Sequence, residues 1–290
     1  MVVPSRKRPP RPSAELLVAR SDAAAQGAAP PDTIPTGFKS VDRLRGGGVR
    51  RRDLVVLGGD IGSGKSSLAL AMALRAAAAG SPVAYLTGEM SEDRVLERAL
   101  AIEGRATVDE LRGGHLDDVR RAQVGAAAVR LRDLPFIVRP LAGHAFTEVT
   151  EALDAVPRPT LLVVDYLQLV APPVAAGTAE DSAALVARGL KTVALECDTA
   201  VLAVAQLPDH NPRRKDPRPT LDDFGGKGQV KQHADVVLAL FREEMYRPGG
   251  GMEGATELLV AKNRNGPTGF IDLYFYTRWL RFEDMLDPER

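Results

Sequence analysis

From Ile34 onward, short apolar runs alternate with longer, helix-like stretches. The runs Leu54–Leu57, Val83–Thr87, Phe136–Val138, Leu161–Val164, Ala200–Ala205, Val236–Phe241, Glu257–Ala261 and Phe270–Tyr276 read as strands. Several are continuously apolar instead of alternating, as in a parallel sheet covered on both faces. The stretches between them, up to Glu196, read mostly as helices; Ser67 to Ala79, rich in Ala and Leu, is the clearest. Only turn-rich loops separate the last three strands, which predicts an antiparallel or mixed edge. The pattern predicts an α/β fold: a mostly parallel central sheet, helices on both faces and an antiparallel C-terminal edge.

The pattern is absent before Ile34. Met1 to Pro12 holds Arg6, Lys7, Arg8 and Arg11 among prolines and is expected to be disordered. Ser13 is placed to cap a short helix, Ala14 to Ala25, and Gly27 with Pro30-Pro31 reads as its stop. Leu16, Leu17 and Val18 give that helix too little apolar surface to stand alone, so it is expected to fray or to dock elsewhere, such as on a neighbouring subunit. The expected organisation is a basic N-terminal segment, 1–32, and one domain, 33–290. Three loops are long for a compact domain: Ala171 to Asp181, Leu207 to Thr220, which carries Arg213-Arg214-Lys215, and Pro248 to Gly254.

Composition narrows the picture modestly. The 290 residues are 44% hydrophobic and 26% charged, which is ordinary for a globular protein. Formal net charge is zero, so a nucleic-acid contact would need a local patch. The single cysteine, Cys197, excludes an internal disulfide and reads as a small buried thiol at a helix end. No apolar run approaches the ~20 residues of a membrane span, and the N-terminus lacks the apolar core of a signal peptide. A cytoplasmic location without membrane contact is expected.

Gly59-Asp60-Ile61-Gly62-Ser63-Gly64-Lys65-Ser66 is a complete G-x-x-x-x-G-K-[ST] phosphate loop between a predicted strand and a predicted helix. Its glycines turn backbone N–H groups toward a polyphosphate, and the helix N-terminus, with Ser67, adds its dipole. Lys65 would reach the β- and γ-phosphates, and the Ser66 hydroxyl would ligate Mg²⁺. Asp165 ends the apolar run Leu161–Val164, where phosphate-loop enzymes place an acid that helps hold the metal. Glu89 closely follows Val83–Thr87. If that strand neighbours the phosphate-loop strand, its carboxylate lies at the edge where open sheets bind ligands, able to activate water. Gln206 follows Ala200–Ala205 and can report on a γ-phosphate. Lys262 and Arg264 lie two apart after Glu257–Ala261, so both point to one side and suit a phosphate, the neighbour's if they act in trans. The plain alternatives are capping acids for Asp165 and Glu89, a loop amide for Gln206 and a solvated hairpin tip for the cation pair.

In this order, these residues resemble the ATPase domain of DnaB-type replicative helicases, ring-forming motors with a RecA-like core. The resemblance runs from Ile34 to Asp284. It is carried by Ile34-Pro35-Thr36-Gly37-Phe38, the phosphate loop, Glu89-Met90, Gly114-His115-Leu116-Asp117-Asp118 and, most specifically, Asp165-Tyr166-Leu167-Gln168-Leu169. Ala205-Gln206-Leu207, Gln232-His233-Ala234-Asp235, Lys262 to Gly269 and Trp279-Leu280-Arg281-Phe282 complete it. It implies ATP and Mg²⁺ as cofactors. Glu89 would be the catalytic base, Asp165 the metal-linked acid, Gln206 the γ-phosphate sensor, and Lys262 and Arg264 the pair acting in trans. Two departures stand out. The family's replicative members carry a separate N-terminal domain, whereas about 33 residues precede the core here. Their DNA loop reads Arg-Glu-Ser-Gly, where this chain has Gly225-Gly226-Lys227-Gly228.

The resemblance implies an ATP-driven helicase or single-stranded DNA translocase acting in DNA replication as a homo-oligomeric ring, expected to be a hexamer, with a loader or primase-like protein as a possible partner. Gly225–Gly228 would line its channel, Lys227 adding charge and backbone N–H groups meeting phosphates. Stacking is not expected, because Phe224 is the lone aromatic nearby. The alternative is a RecA-like regulatory or recombination-associated ATPase without unwinding activity. A small-molecule kinase fits less well with the Lys262/Arg264 pair and with the position of Glu89.

Overall fold

The computed structural model describes residues 13–27, 30, 32–155, 160–208, 214–225 and 229–285. Its core strands are β3 (Leu54–Gly59), β4 (Val83–Thr87), β5 (Phe136–Pro140), β6 (Leu161–Asp165), β7 (Ala200–Gln206) and β8 (Val236–Phe241), all mutually parallel; β9 (Ala255–Asn263), β10 (Gly269–Tyr276) and β11 (Arg281–Asp284) continue the sheet antiparallel. The order across the sheet is β11-β10-β9-β8-β3-β7-β6-β4-β5. A separate two-stranded pair, β1 (Thr33–Ile34) with β2 (Val49–Arg50), flanks α2 (Lys39–Arg45).

The continuous apolar runs are explained by burial on both faces. In β3, Val55 and Leu57 join one hydrophobic cluster, while Leu54 and Val56 join the other. The first cluster is covered by α3 (Lys65–Ala78) and α4 (Glu92–Gly104), the second by α7 (Phe146–Asp154) and α8 (Ala179–Cys197). Each fully buried aliphatic side chain contributes about 1.5–3 kcal/mol of transfer free energy. Two further helices, α5 (Val108–Gly113) and α6 (Asp118–Arg132), pack beside α4, and the short α9 (Gln229–His233) leads into β8.

The predicted strands are present, and the C-terminal edge is antiparallel as expected. Three strands were not anticipated: β1, β2 and β11, of two, two and four residues, are too short to show a period. The condition placed on Glu89 is not met, since β7 and β6 stand between β3 and β4. The helix α1 (Ala14–Ala25) forms with Ser13 accepting the Leu16 N–H at 3.2 Å, yet none of its residues is buried. Cys197 is half-buried at the last residue of α8, not enclosed. Residues 1–12, expected to be disordered, lie outside the described residues.

Candidate functional site

The carboxyl ends of the parallel strands bring the sequence-selected residues to one rim. Gly59 of β3 lies opposite Gln206 of β7, and Asp165 of β6 lies opposite Thr87 of β4. A cleft of about 400 Å³ opens there, lined by Gly62, Lys65, Ser66, Glu89, Asp165 and Gln206 among others. Glu89 reaches it although β4 is distant from β3, because the turn beyond β4 is fixed. Thr87 Oγ1 both accepts the Met90 N–H at 3.0 Å and donates to the Met90 carbonyl at 2.9 Å, and the Gly88 N–H donates to the Asp165 carbonyl at 2.8 Å.

The loop itself needs its glycines. Gly64 stands at φ +100°, immediately before α3, and a Cβ there would lie 2.9 Å from the Phe282 ring. At Gly58 a Cβ would lie 2.4 Å from the buried Phe224 ring, so the close approach of that ring fixes the residue. Ser67 is buried in the first turn of α3, and Ile61 is exposed on the loop. Lys65 Nζ donates to the Asp60 carbonyl at 2.6 Å. Burial pulls its ammonium below the ordinary range, opposed by the nearby carboxylates of Asp60, Asp165 and Glu89. Ser66 Oγ donates to Asp165 Oδ1 at 3.0 Å, and the Tyr85 hydroxyl donates to Asp165 Oδ2 at 2.7 Å. Burial pushes the Asp165 carboxyl up, countered by these two hydrogen bonds.

Sequence reasoning missed Arg98, Arg242 and Tyr85. Arg98 lines the cleft from α4. Arg242 follows β8, so the same strand-end logic that selected Gln206 would have found it. Its Nη1 donates to the Gly62 carbonyl at 3.1 Å, its guanidinium lies 4.9 Å above the Phe275 ring, and it pairs with Glu244. Nearby, the Tyr246 hydroxyl donates to Asp60 Oδ2 at 3.0 Å, bracing the loop from outside.

The donor set suits a magnesium nucleotide. Ser66 and Asp165 offer hard oxygens. Among the described residues no group of three or more His, Cys, Asp or Glu side chains could hold a metal alone. Magnesium in such sites takes most of its ligands from phosphates and water. Ser63 Oγ and Arg242 Nε are buried without a hydrogen-bond partner among the described residues, one in the loop and one on an arginine lining the cleft.

Lys262 and Arg264 are elsewhere. Along β8, Val237 pairs with Lys262 and Val236 with Asn263, while Val56 and Val55 of β3 pair with the same two β8 residues. The cation pair therefore sits toward the amino end of β3, Lys262 about 10 Å and Arg264 about 17 Å along the strand from Gly59, two strand spacings aside. Both side chains do face one side, as expected. Lys262 Nζ donates to the carbonyls of Lys231 and Ala234 at 2.5 and 2.7 Å, and Arg264 Nε lies 3.5 Å from Asp235 Oδ1. Of the expected DNA loop, Gly225 has φ +45°, and Gly226, Lys227 and Gly228 lie outside the described residues. Phe224 is 1% exposed, in keeping with the expectation that stacking plays no part there.

Among relatives, the replicative DNA helicase DnaB of Leifsonia xyli subsp. xyli is 29% identical over 256 residues, which cover 87% of this chain. The chain spans 56% of that relative's length. Among solved structures, one ATPase domain superposes with a TM-score of 0.84 at 24% identity, covering 94% of this chain and 98% of that one. A DnaB-like replicative helicase, studied with its primase interactions, gives 0.83 at 23%, covering 95% and 68%. The fold is therefore that of these ATPase domains. Since the family profile described as the DnaB-like helicase C terminal domain matches residues 33–284, the strand ends that gather Lys65, Glu89, Asp165 and Gln206 are those of a member, and the chain belongs to that family.

Proposed function

We propose that this chain is the ATP-hydrolysing motor of a DnaB-type helicase, moving along single-stranded DNA during replication. Residues 33–290 would be the motor domain and 1–32 a joining segment. One observation carries the reading. Lys65, Ser66, Glu89, Asp165 and Gln206 share one cleft, while Lys262 and Arg264 lie at the opposite edge of the same sheet, so a site needing both requires a second copy. The copies would form a ring, proposed to be a hexamer, working in the cytoplasm with a loader or primase-like partner.

Within the cleft, the loop from Gly59 to Ser67 would hold the phosphates of ATP, and Lys65 would move from the Asp60 carbonyl to the β- and γ-phosphates. Ser66 and Asp165 would hold Mg²⁺, which supplies neutralisation of the phosphate charge when bound. Glu89, exposed on the cleft wall, would orient and deprotonate the attacking water. Gln206 would register the γ-phosphate, its backbone N–H already held by Gln168 Oε1 at 3.2 Å and its carbonyl by Gln168 Nε2 at 2.7 Å. Gly225 to Gly228, with Lys227, would contact the DNA backbone, giving binding that depends strongly on salt. Relatives over 87% of the chain favour this over a regulatory or recombination-type ATPase without unwinding.

The test is ATP hydrolysis with and without single-stranded DNA, alongside sizing in ATP and strand separation on a forked substrate. Stimulation by DNA and unwinding are expected. Hydrolysis indifferent to DNA, with no unwinding, would sink the proposal.

A further inference from the structure

Inside the apolar run Val83-Ala84-Tyr85-Leu86, Tyr85 places a hydroxyl where none is needed for packing. The residue is fully buried, and its ring lies 6.3 Å from that of Phe136. A phenylalanine would fill the same space, and a buried hydroxyl is costly without a partner. Its partner is Asp165 Oδ2, at 2.7 Å. The strand register explains the reach: Tyr85 lies opposite Val163 on β6, and Asp165 follows two residues later on the same face.

Asp165 is 2% exposed, and its two oxygens are divided. Oδ1 accepts from Ser66 Oγ and faces the cleft, while Oδ2 points into the core and accepts from Tyr85. Without the hydroxyl, a charged oxygen would face an aromatic edge. The carboxylate would then turn to regain a partner, moving the oxygen presented to the metal.

We infer that Tyr85 is a positioning residue for Mg²⁺, holding the Asp165 carboxylate from behind so that its other oxygen and Ser66 stay directed at the cation. This rests on the reading of Ser66 and Asp165 as the magnesium side of the cleft. Tyr85 itself does not line the cleft.

The test compares the full chain with Tyr85→Phe, Asp165→Asn and the double variant. Binding of a fluorescent ATP analogue is followed in EDTA and across a Mg²⁺ titration, with thermal melts as a fold control. Tyr85→Phe should bind nucleotide in EDTA as the parent does and raise the Mg²⁺ half-saturation about tenfold. Asp165→Asn should remove the Mg²⁺-dependent increment, and adding Tyr85→Phe to it should change nothing further; as the carboxylate's charge is gone there, this variant also reports if the single Phe variant folds poorly. An unchanged half-saturation in Tyr85→Phe, with the increment lost in Asp165→Asn, overturns the role of Tyr85 alone. So does an equal loss of binding in EDTA, or a further effect in the Asn background. A normal Mg²⁺ response in Asp165→Asn overturns the underlying reading of the site, and this inference with it.

Discussion

Lys65 and Glu89 line the same cleft and should fail differently when replaced. Lys65→Ala removes the cation that would meet the phosphates and should weaken nucleotide binding by roughly 10², measured by titration with a fluorescent nucleotide. Glu89→Gln keeps the shape and hydrogen-bonding capacity of the wall but removes the carboxylate proposed as the base. It should bind ATP normally and lose turnover by about 10²–10⁴, seen in a single-turnover assay. Both residues were legible in the sequence because a phosphate loop and strand-terminal polar residues are local signals. Tyr85 was not legible. A tyrosine within an apolar run reads as core, and its partner lies 80 residues away in sequence, brought beside it only by strand order. Arg98 was hidden for a similar reason, being an arginine within a helix whose inward turn depends on the packing of α4.

At the level of elements, β8 and β9 decide how a site could be shared. The antiparallel return of β9 carries Lys262 and Arg264 away from their own subunit's phosphate loop, and a register shift between Val237 and Leu238 sets their level. In the isolated subunit Lys262 lies on the carbonyls of Lys231 in α9 and of Ala234 just beyond it, where burial pulls its ammonium down. If the pair serves a neighbour, Arg264→Ala should abolish steady-state hydrolysis while leaving nucleotide affinity within about twofold. Mixing it equally with Glu89→Gln subunits should restore activity at about one interface in four, because a native Glu89 then meets a native Arg264. No recovery on mixing would overturn the trans assignment of the pair. The strands from β3 to β10 were legible from apolar runs, but their order was not. Parallel strands are ordered by the helices that cross between them, which is why β4 turned out to be separated from β3 although Glu89 still reaches the cleft.

For the whole molecule, one buried carboxylate ties separate layers together. Asp235 is 3% exposed; its Oδ2 accepts the Leu54 N–H at 2.8 Å and pairs with Lys191 of α8 at 2.5 Å, while Oδ1 faces Arg264. Asp235→Ala leaves the buried Leu54 N–H without its side-chain acceptor and the Lys191 ammonium without its carboxylate, holding only the Arg52 carbonyl, and should lower stability by about 3–5 kcal/mol in urea unfolding. The family and the sheet's makeup were readable from a chain of spaced motifs, whereas this tie was not, since it joins three elements far apart in sequence. The placement of the cleft and the cation pair on opposing edges has a further consequence. If the pair completes a neighbour's cleft, copies so joined make a heterologous contact, and any open string of subunits then has two unlike ends. One end carries an unmatched cleft and the other an unmatched Lys262/Arg264 pair, and only closure completes every site. Activity per subunit should therefore climb with concentration until rings shut, and dilution alone should silence a fully folded protein.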